Sequence, residues 1–256
     1  MRILVTNDDG IFAAGIAELA LALKRCGHEL FIGAPAENQS CVSHGLTLSR
    51  PLYAKAEELP GLAGIPTYAI TGTPADCVRL SIGNLGADPE VIISGINQAP
   101  NLGTDALYSG TVSAAMEGAM LGIPSIAVSK DTFDTEFMDE AAEFFADMLP
   151  KLMEFFGPAE SILSVNIPSK KRSEYRGVRV ARTGLQSYML AYAEVPDPDG
   201  RIGYHMQSVK LTECAEDDDT DEKMMRDGFV VVTPLTYDIT EYRRMERAKE
   251  LFETDL

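Results

Sequence analysis

Asp8 and Asp9 follow the short apolar run Ile3-Leu4-Val5 and precede Gly10, so two adjacent carboxylates stand at the C-terminal end of a predicted strand. Two like charges side by side repel unless a cation or a shared proton relieves them. Holding a divalent ion is the best chemical use of such a pair. Three more polar clusters lie beyond predicted strand ends or just before a helix: Asn38-Gln39-Ser40, Ser94-Gly95-Ile96-Asn97 and Tyr108-Ser109-Gly110-Thr111. Carboxylate, hydroxyl and amide oxygens are hard ligands, suited to Mg²⁺, Mn²⁺ or Ca²⁺ rather than to zinc or copper.

Each cluster also has an ordinary structural use. Asp before Gly makes a turn, and one Asp can cap the helix that follows; that accounts for one carboxylate and leaves the other. Ser40 taken alone reads as a loop serine, and Asn97 reads equally as an Asx turn after a strand. Ser109 or Thr111 would cap the next helix. The same helix start offers unpaired N–H groups and the positive end of a dipole, where phosphate binds without a basic side chain. Gly103 and Gly110 would let backbone approach a ligand. Ser43 and His44, just beyond Ser40, are candidate substrate contacts, whereas His28 reads as structural. The chain has neither a Gly-x-Gly-x-x-Gly dinucleotide loop nor a Gly-x-x-x-x-Gly-Lys loop.

The elements that must position these residues alternate over the first two-thirds of the chain. Strands are predicted at 3–5, 29–33, 67–70, 91–94, 125–128 and 162–167. Helices are predicted at 15–26, 74–82, 111–121 and 136–156, the last kinked or split at Pro150. A long polar loop separates the second and third strands. This grammar predicts an α/β fold: a Rossmann-like, mostly parallel sheet with helices on both faces. In such a sheet, ligands bind outside the carboxyl ends of the strands, which is where the clusters fall. Beyond residue 170 the pattern changes to strands at 178–181, 188–195, 202–209 and 229–233, with a turn at Pro196–Gly200. The acidic run 213–222 reads as a solvated loop, and 239–252 as an amphipathic helix. The expected division is a catalytic core over 1–170 and, over 171–256, a hairpin-and-helix extension used in subunit contacts.

Composition limits the functions available. The chain has 256 residues, is 45% hydrophobic and carries a net charge of -17, so one large α/β unit with an elaboration suffices. The charge argues against a nucleic-acid polymer as partner and would repel an anionic substrate, unless a bound cation reverses the field locally. Four scattered cysteines without a Cys-x-x-Cys pair argue against zinc and for a reducing compartment. There is no signal-peptide pattern and no apolar run near the ~20 residues that cross a bilayer. A cytoplasmic protein without membrane partners is expected.

Taken together, the segments ILVTNDDG (3–10), NQS (38–40), GTPADCV (72–78), SGIN (94–97), YSGTV (108–112), GIPSIAVS (122–129), VNIP (165–168) and TPL (233–235) resemble, in order and spacing, the SurE family of stationary-phase survival proteins. The resemblance implies a metal-dependent nucleotidase that hydrolyses nucleoside 5′-monophosphates, with one divalent ion (Mg²⁺ or Mn²⁺) per subunit held by Asp8, Asp9, Ser40 and Asn97. It further implies phosphate binding at Ser109-Gly110-Thr111, with Asn101 nearby, and a homodimer or homotetramer joined through the C-terminal extension. Asp8 or Asp9 would accept a proton from an attacking water. An aspartyl-phosphate route is the alternative, but the haloacid-dehalogenase pattern spaces its two Asp by one residue and these are adjacent. A regulatory nucleotide binder with little turnover and a phosphatase of short polyphosphate are the competing functions. The chain departs from the family twice: Cys41 stands where Gly usually follows Gln-Ser, and Ala99-Pro100 precedes Asn101, where Pro100 removes a backbone donor.

Overall fold

A computed structural model describes residues 1–157, 161–185, 191–207 and 219–254. The elements run β1 (Arg2–Thr6), α1 (Ala14–Arg25), β2 (Glu29–Pro35), β3 (Ala54–Ala56), β4 (Thr67–Ile70), α2 (Pro74–Gly83), β5 (Val91–Asn97), α3 (Gly110–Met120), β6 (Ser125–Lys130), α4 (Met138–Met153) and β7 (Ser161–Ile167). They continue with β8 (Val178–Val180), β9 (Ala191–Pro196), β10 (Ile202–Gln207), α5 (Asp221–Arg226), β11 (Val230–Thr236) and α6 (Met245–Phe252).

Nine strands form one sheet in the order β3-β4-β2-β1-β5-β6-β7-β11-β8, and β9 pairs with β10 as a separate antiparallel hairpin. From β1 the chain winds outward through β2 and β4, then returns to place β5 on the other side of β1. The strand order therefore reverses between β1 and β5, the point at which sheets of this kind bind ligands. The fold is Rossmann-like α/β, as the alternation predicts.

Side-chain alternation along β1 shows why both faces are covered. Ile3 and Val5 pack in the large core with Ile16, Leu19 and Leu23 of α1 and with Phe145 and Leu149 of α4. Leu4 points the other way, to Val78 of α2, Ala114 of α3 and Ile92. Each such side chain contributes about 1.5–3 kcal/mol when fully buried. The start of α2 is set by a capping box: Thr73 Oγ1 accepts from Asp76 N at 3.1 Å, while Asp76 Oδ2 accepts from Thr73 N at 3.0 Å. Burial alone would raise the Asp76 carboxyl, but bonds from Thr47 and Thr73 outweigh it and hold the pKa below its ordinary value.

Several boundaries differ from the sequence expectation. The long loop after β2 contains β3, which pairs antiparallel with β4. β5 extends to Asn97 through a register shift after Ser94 and a cis Gly95–Ile96 peptide. At Gly95, φ is +143° and an added Cβ would lie 2.3 Å from the Val128 carbonyl oxygen, so only Gly lets β5 run this close to β6. α4 continues through Pro150, which falls in its last turn, to Met153. The acidic run is not wholly solvated. Thr220 and Asp221 are 2% exposed and open α5, while 213–218, like 188–190 and 208–209 of the predicted hairpin strands, lie outside the described residues. The C-terminal helix begins only at Met245, after a 3-10 turn at Tyr242–Arg244. β11 enters the main sheet between β7 (antiparallel) and β8 (parallel). Among the described residues, no helix is long and apolar enough to cross a membrane.

Candidate metal and phosphate site

Asn7, not an Asp, makes the turn after β1: its Nδ2 donates to the Gly10 carbonyl at 2.9 Å and its Oδ1 accepts from Gly10 N at 3.3 Å. Ala13 is the N-cap of α1, without a side-chain bond. Neither Asp8 nor Asp9 is used as a cap, so turn chemistry accounts for neither carboxylate.

Asp8 is 3% exposed and faces the start of α3. Thr111 Oγ1 donates to its Oδ1 at 2.5 Å, and Thr111 N donates to its Oδ2 at 3.1 Å. Burial raises its pKa to about 6 against the pull of the Thr111 hydroxyl, and the neighbouring Asp9 charge adds to the rise. Asp9 is half-buried, with its Oδ2 accepting from Gln98 N at 3.1 Å; burial raises its pKa as well. Among the described residues, no cationic side chain pairs with either carboxylate. Two buried, adjacent carboxylates without a protein cation are what a bound cation would relieve.

Two backbone bonds bring the remaining oxygen donors toward this pair. Gln39 N donates to the Asp8 carbonyl at 2.7 Å, which draws the Asn38–Ser40 segment to the end of β1. Gln98 N, already on Asp9, brings Asn97 alongside. Asn97 Nδ2 donates to the Ala99 carbonyl at 2.7 Å, leaving its Oδ1 without a hydrogen bond among the described residues. The Ser40 hydroxyl likewise makes none, while its N–H donates to Asn38 Oδ1 at 2.8 Å. No group of three or more His, Cys, Asp or Glu gathers among the described residues, so a cation here must draw on Asn and Ser oxygens. That donor chemistry fits a hard divalent ion.

At the start of α3, Ser109 is the N-cap and accepts from Val112 N at 3.1 Å. With Thr111 N given to Asp8 and Val112 N to Ser109, the N–H groups of Ser109 and Gly110 remain without a protein partner among the described residues. Of the Ser109–Thr111 segment expected to receive phosphate, the Thr111 amide is therefore committed to Asp8. Gly110 is required by packing, since an added Cβ would lie 2.8 Å from Asp8 Cβ and 3.0 Å from its Oδ2.

Asn101 does not reach outward. Its Nδ2 donates to Ser129 Oγ at 2.8 Å and its N to Asn166 Oδ1 at 2.9 Å, in a buried network. Next to it, Leu102 packs with Ala181, Met225 and Val231, and Gly103 N donates to Asp221 Oδ2 at 2.7 Å. Residues of the C-terminal part thus brace the loop between β5 and α3. Ser43 meets the site through its backbone, donating to the Tyr108 carbonyl at 3.0 Å. His44 Nε2 lies 2.8 Å from Oε2 of Glu117, a 1%-exposed residue of α3. Glu117 also faces Arg79 of α2, whose Nε lies 2.6 Å from Oε1. Sequence reasoning missed Glu117, although it is the one charge in the helix GTVSAAMEGAM.

Cys41 and Ser43 both sit in the left-handed region, at φ 59° and 53°. Gly takes this conformation freely, whereas an L side chain costs about 1–2 kcal/mol there. Cys41→Gly is expected to stabilise the protein by about 0.5 kcal/mol after the added unfolded-state freedom of Gly is subtracted. A thermal melt reads this as a rise of about 1–2 °C, and a fall would show that Cys41 makes compensating contacts.

The strand order, its reversal between β1 and β5 and the acid pair beside a helix N-terminus define a Rossmann-like α/β protein with a candidate cation site at that switch point. The family model for "Survival protein SurE" matches residues 3–190. Over 98% of both chains, the sequence is 42% identical to the 5′-nucleotidase SurE of Alkaliphilus metalliredigens. It is 41% identical to that of Synechococcus elongatus, covering 98% of this chain and 99% of the relative. The crystal structure of the SurE protein from Aquifex aeolicus superposes with a TM-score of 0.83 at 38% identity, covering 99% of this chain and 100% of that one. The chain belongs to the SurE family.

Proposed function

We propose that this chain is a divalent-metal-dependent phosphomonoesterase that hydrolyses nucleoside 5′-monophosphates to nucleoside and phosphate. The observation that carries this reading is the buried Asp8 clamped by Thr111 at the start of α3, beside Asp9 and without a protein cation. The names of relatives at about 40% identity over nearly the whole chain supply the substrate class.

Asp8, Asp9, Ser40 and Asn97 would hold one divalent ion, Mg²⁺ or Mn²⁺. When bound, such an ion offsets phosphate charge and makes coordinated water more acidic. Thr111 fixes both Asp8 oxygens, so this carboxylate orients rather than moves. Asp9 keeps Oδ1 free of protein bonds and is the group that accepts the proton of the attacking water. The N–H groups of Ser109 and Gly110 meet the equatorial phosphate oxygens as their charge redistributes. We assign the catalytic residues to 1–170. Residues 171–256 complete the sheet and, through the exposed Tyr192, Ile202 and Tyr204 of the β9–β10 hairpin, supply the contacts of a homodimer or homotetramer.

Purified protein is expected to release phosphate from a nucleoside monophosphate with Mn²⁺ or Mg²⁺, to stop when EDTA is added and to recover when the ion is restored. Tight nucleotide binding without phosphate release would replace this reading with a regulatory binder. A faster release from short polyphosphate than from any nucleotide would change the substrate class.

A further inference from the structure

Hydrolysis of a nucleoside monophosphate leaves an alkoxide that must be protonated. A free nucleoside oxygen is a poor leaving group, and neither the acid pair nor the α3 amides carry a proton for it. Three observations single out a side chain placed to do this. The segment 39–43 is tied to the site at both ends: Gln39 N donates to the Asp8 carbonyl at 2.7 Å, and Ser43 N donates to the Tyr108 carbonyl at 3.0 Å, one residue before the Ser109 cap. His44 follows directly, half-buried. Its Nε2 is held at 2.8 Å by Glu117 Oε2, which lies on the same helix whose first turn faces Asp8. His44 Nδ1 has no hydrogen bond among the described residues. A carboxylate that fixes one imidazole nitrogen while leaving the other open is the arrangement that orients a proton-transferring histidine.

Building on the function proposed above, we infer that His44 is the general acid of the reaction, with Glu117 as its positioning residue. The P–O(nucleoside) bond breaks and its electron pair goes to the nucleoside oxygen, which takes the proton from His44 Nδ1. The water oxygen bonds to phosphorus and its proton passes to Asp9. Asp9 then gives its proton up to solvent and His44 regains one, so charge and atoms balance. Glu117 fixes the orientation of the imidazole. Arg79 faces that carboxylate from α2, its Nε 2.6 Å from Oε1, on the side away from His44 Nε2. Asp76, on α2, is turned instead to Thr47 N and Thr73 N.

The test compares leaving groups. His44→Gln is expected to lower kcat/KM on a nucleoside monophosphate by ~10²-fold or more, yet to change hydrolysis of p-nitrophenyl phosphate by less than about threefold, because nitrophenolate departs without a proton. Retained nitrophenyl activity also shows that the variant folds. Glu117→Gln should reproduce the same split between the two leaving groups more weakly, in kcat rather than in KM. Equal losses on both substrates would overturn the proposal and make His44 a phosphate or loop-positioning group; no loss on either would overturn it outright. Wild-type enzyme gives an independent check on a series of aryl phosphates. A shallow dependence of rate on leaving-group pKa, steeper in His44→Gln, supports general-acid transfer, and a steep dependence in the wild type removes it while leaving the phosphomonoesterase reading intact. A protein that hydrolyses neither aryl nor nucleoside phosphates would instead remove that underlying reading.

Discussion

Asp8→Asn is expected to cut turnover by ~10³-fold or more while making the metal-free protein more stable, an opposite pair of effects that a structural role for Asp8 would not produce. Asn has the same shape. Its Oδ1 can still accept from Thr111 N, and its amide can donate to the Thr111 hydroxyl, which turns to accept. The fold is therefore kept. Charge is what changes. The Asp8 carboxyl is raised from an ordinary 3.8 to about 6, so at pH 7, above both values, ionised Asp8 costs the folded state about 3 kcal/mol. That cost fades as pH falls through 6 and is gone below 3.8, where folded and unfolded chains are both protonated. Without divalent ions, wild-type protein should become more stable as pH drops from 7 toward 4, and Asp8→Asn should show a shallower slope, the remainder coming from Asp9, whose carboxyl burial also raises. Melts in EDTA at pH 7 should place the variant about 2 kcal/mol above wild type, and added Mn²⁺ should raise the wild type only. A variant that melts lower in EDTA, or one that still responds to Mn²⁺, would take Asp8 out of the cation site.

Gly110→Ala adds a single methyl group, and its predicted consequence is nearly as large. The new Cβ would meet Asp8 Cβ at 2.8 Å and Pro74 Cγ at 3.0 Å. The short, buried Asp8 side chain and the rigid Pro74 ring close on this point, so the first turn of α3 must back away and stretch the Thr111–Asp8 bonds. A displacement near 1 Å at a reacting centre costs about 10²-fold in rate, and overpacking of this kind costs about 1–3 kcal/mol in stability. Steady-state kinetics beside a thermal melt would read both. Wild-type rates from Gly110→Ala would mean that this turn does not hold the substrate's phosphate.

Much of this arrangement was legible from residues alone. The apolar runs of β1, β5 and β6 and the helical spacing of α1 gave the alternating fold, and the polar clusters fell at the rim where that fold puts strand ends. Other parts were hidden for physical reasons. β3 is three exposed residues held by pairing with β4, and no local pattern announces it. Asp221 and Thr220 close an acidic run whose composition argues for solvent, yet burial is tolerable because Gly103 N and Gly184 N satisfy the carboxylate. Asn101 looks outward on paper, and only the partners Ser129 and Asn166, both on later strands, reveal that it faces in. Thr111 read as a cap or phosphate donor, whereas its hydroxyl and amide are both committed to an Asp 103 residues earlier.

β11 carries a cost that appears only while the protein is being made. Until residues 230–236 have left the ribosome, the β7 edge has no neighbour on that side and Gly103 has no Asp221 to hold it. A nascent or prematurely terminated chain of some two hundred residues would thus present an open strand edge, ready to pair with another copy. Translation must run past residue 236 before that rim is braced, which makes nonsense and frameshift lesions upstream of it an aggregation hazard as well as a loss of activity.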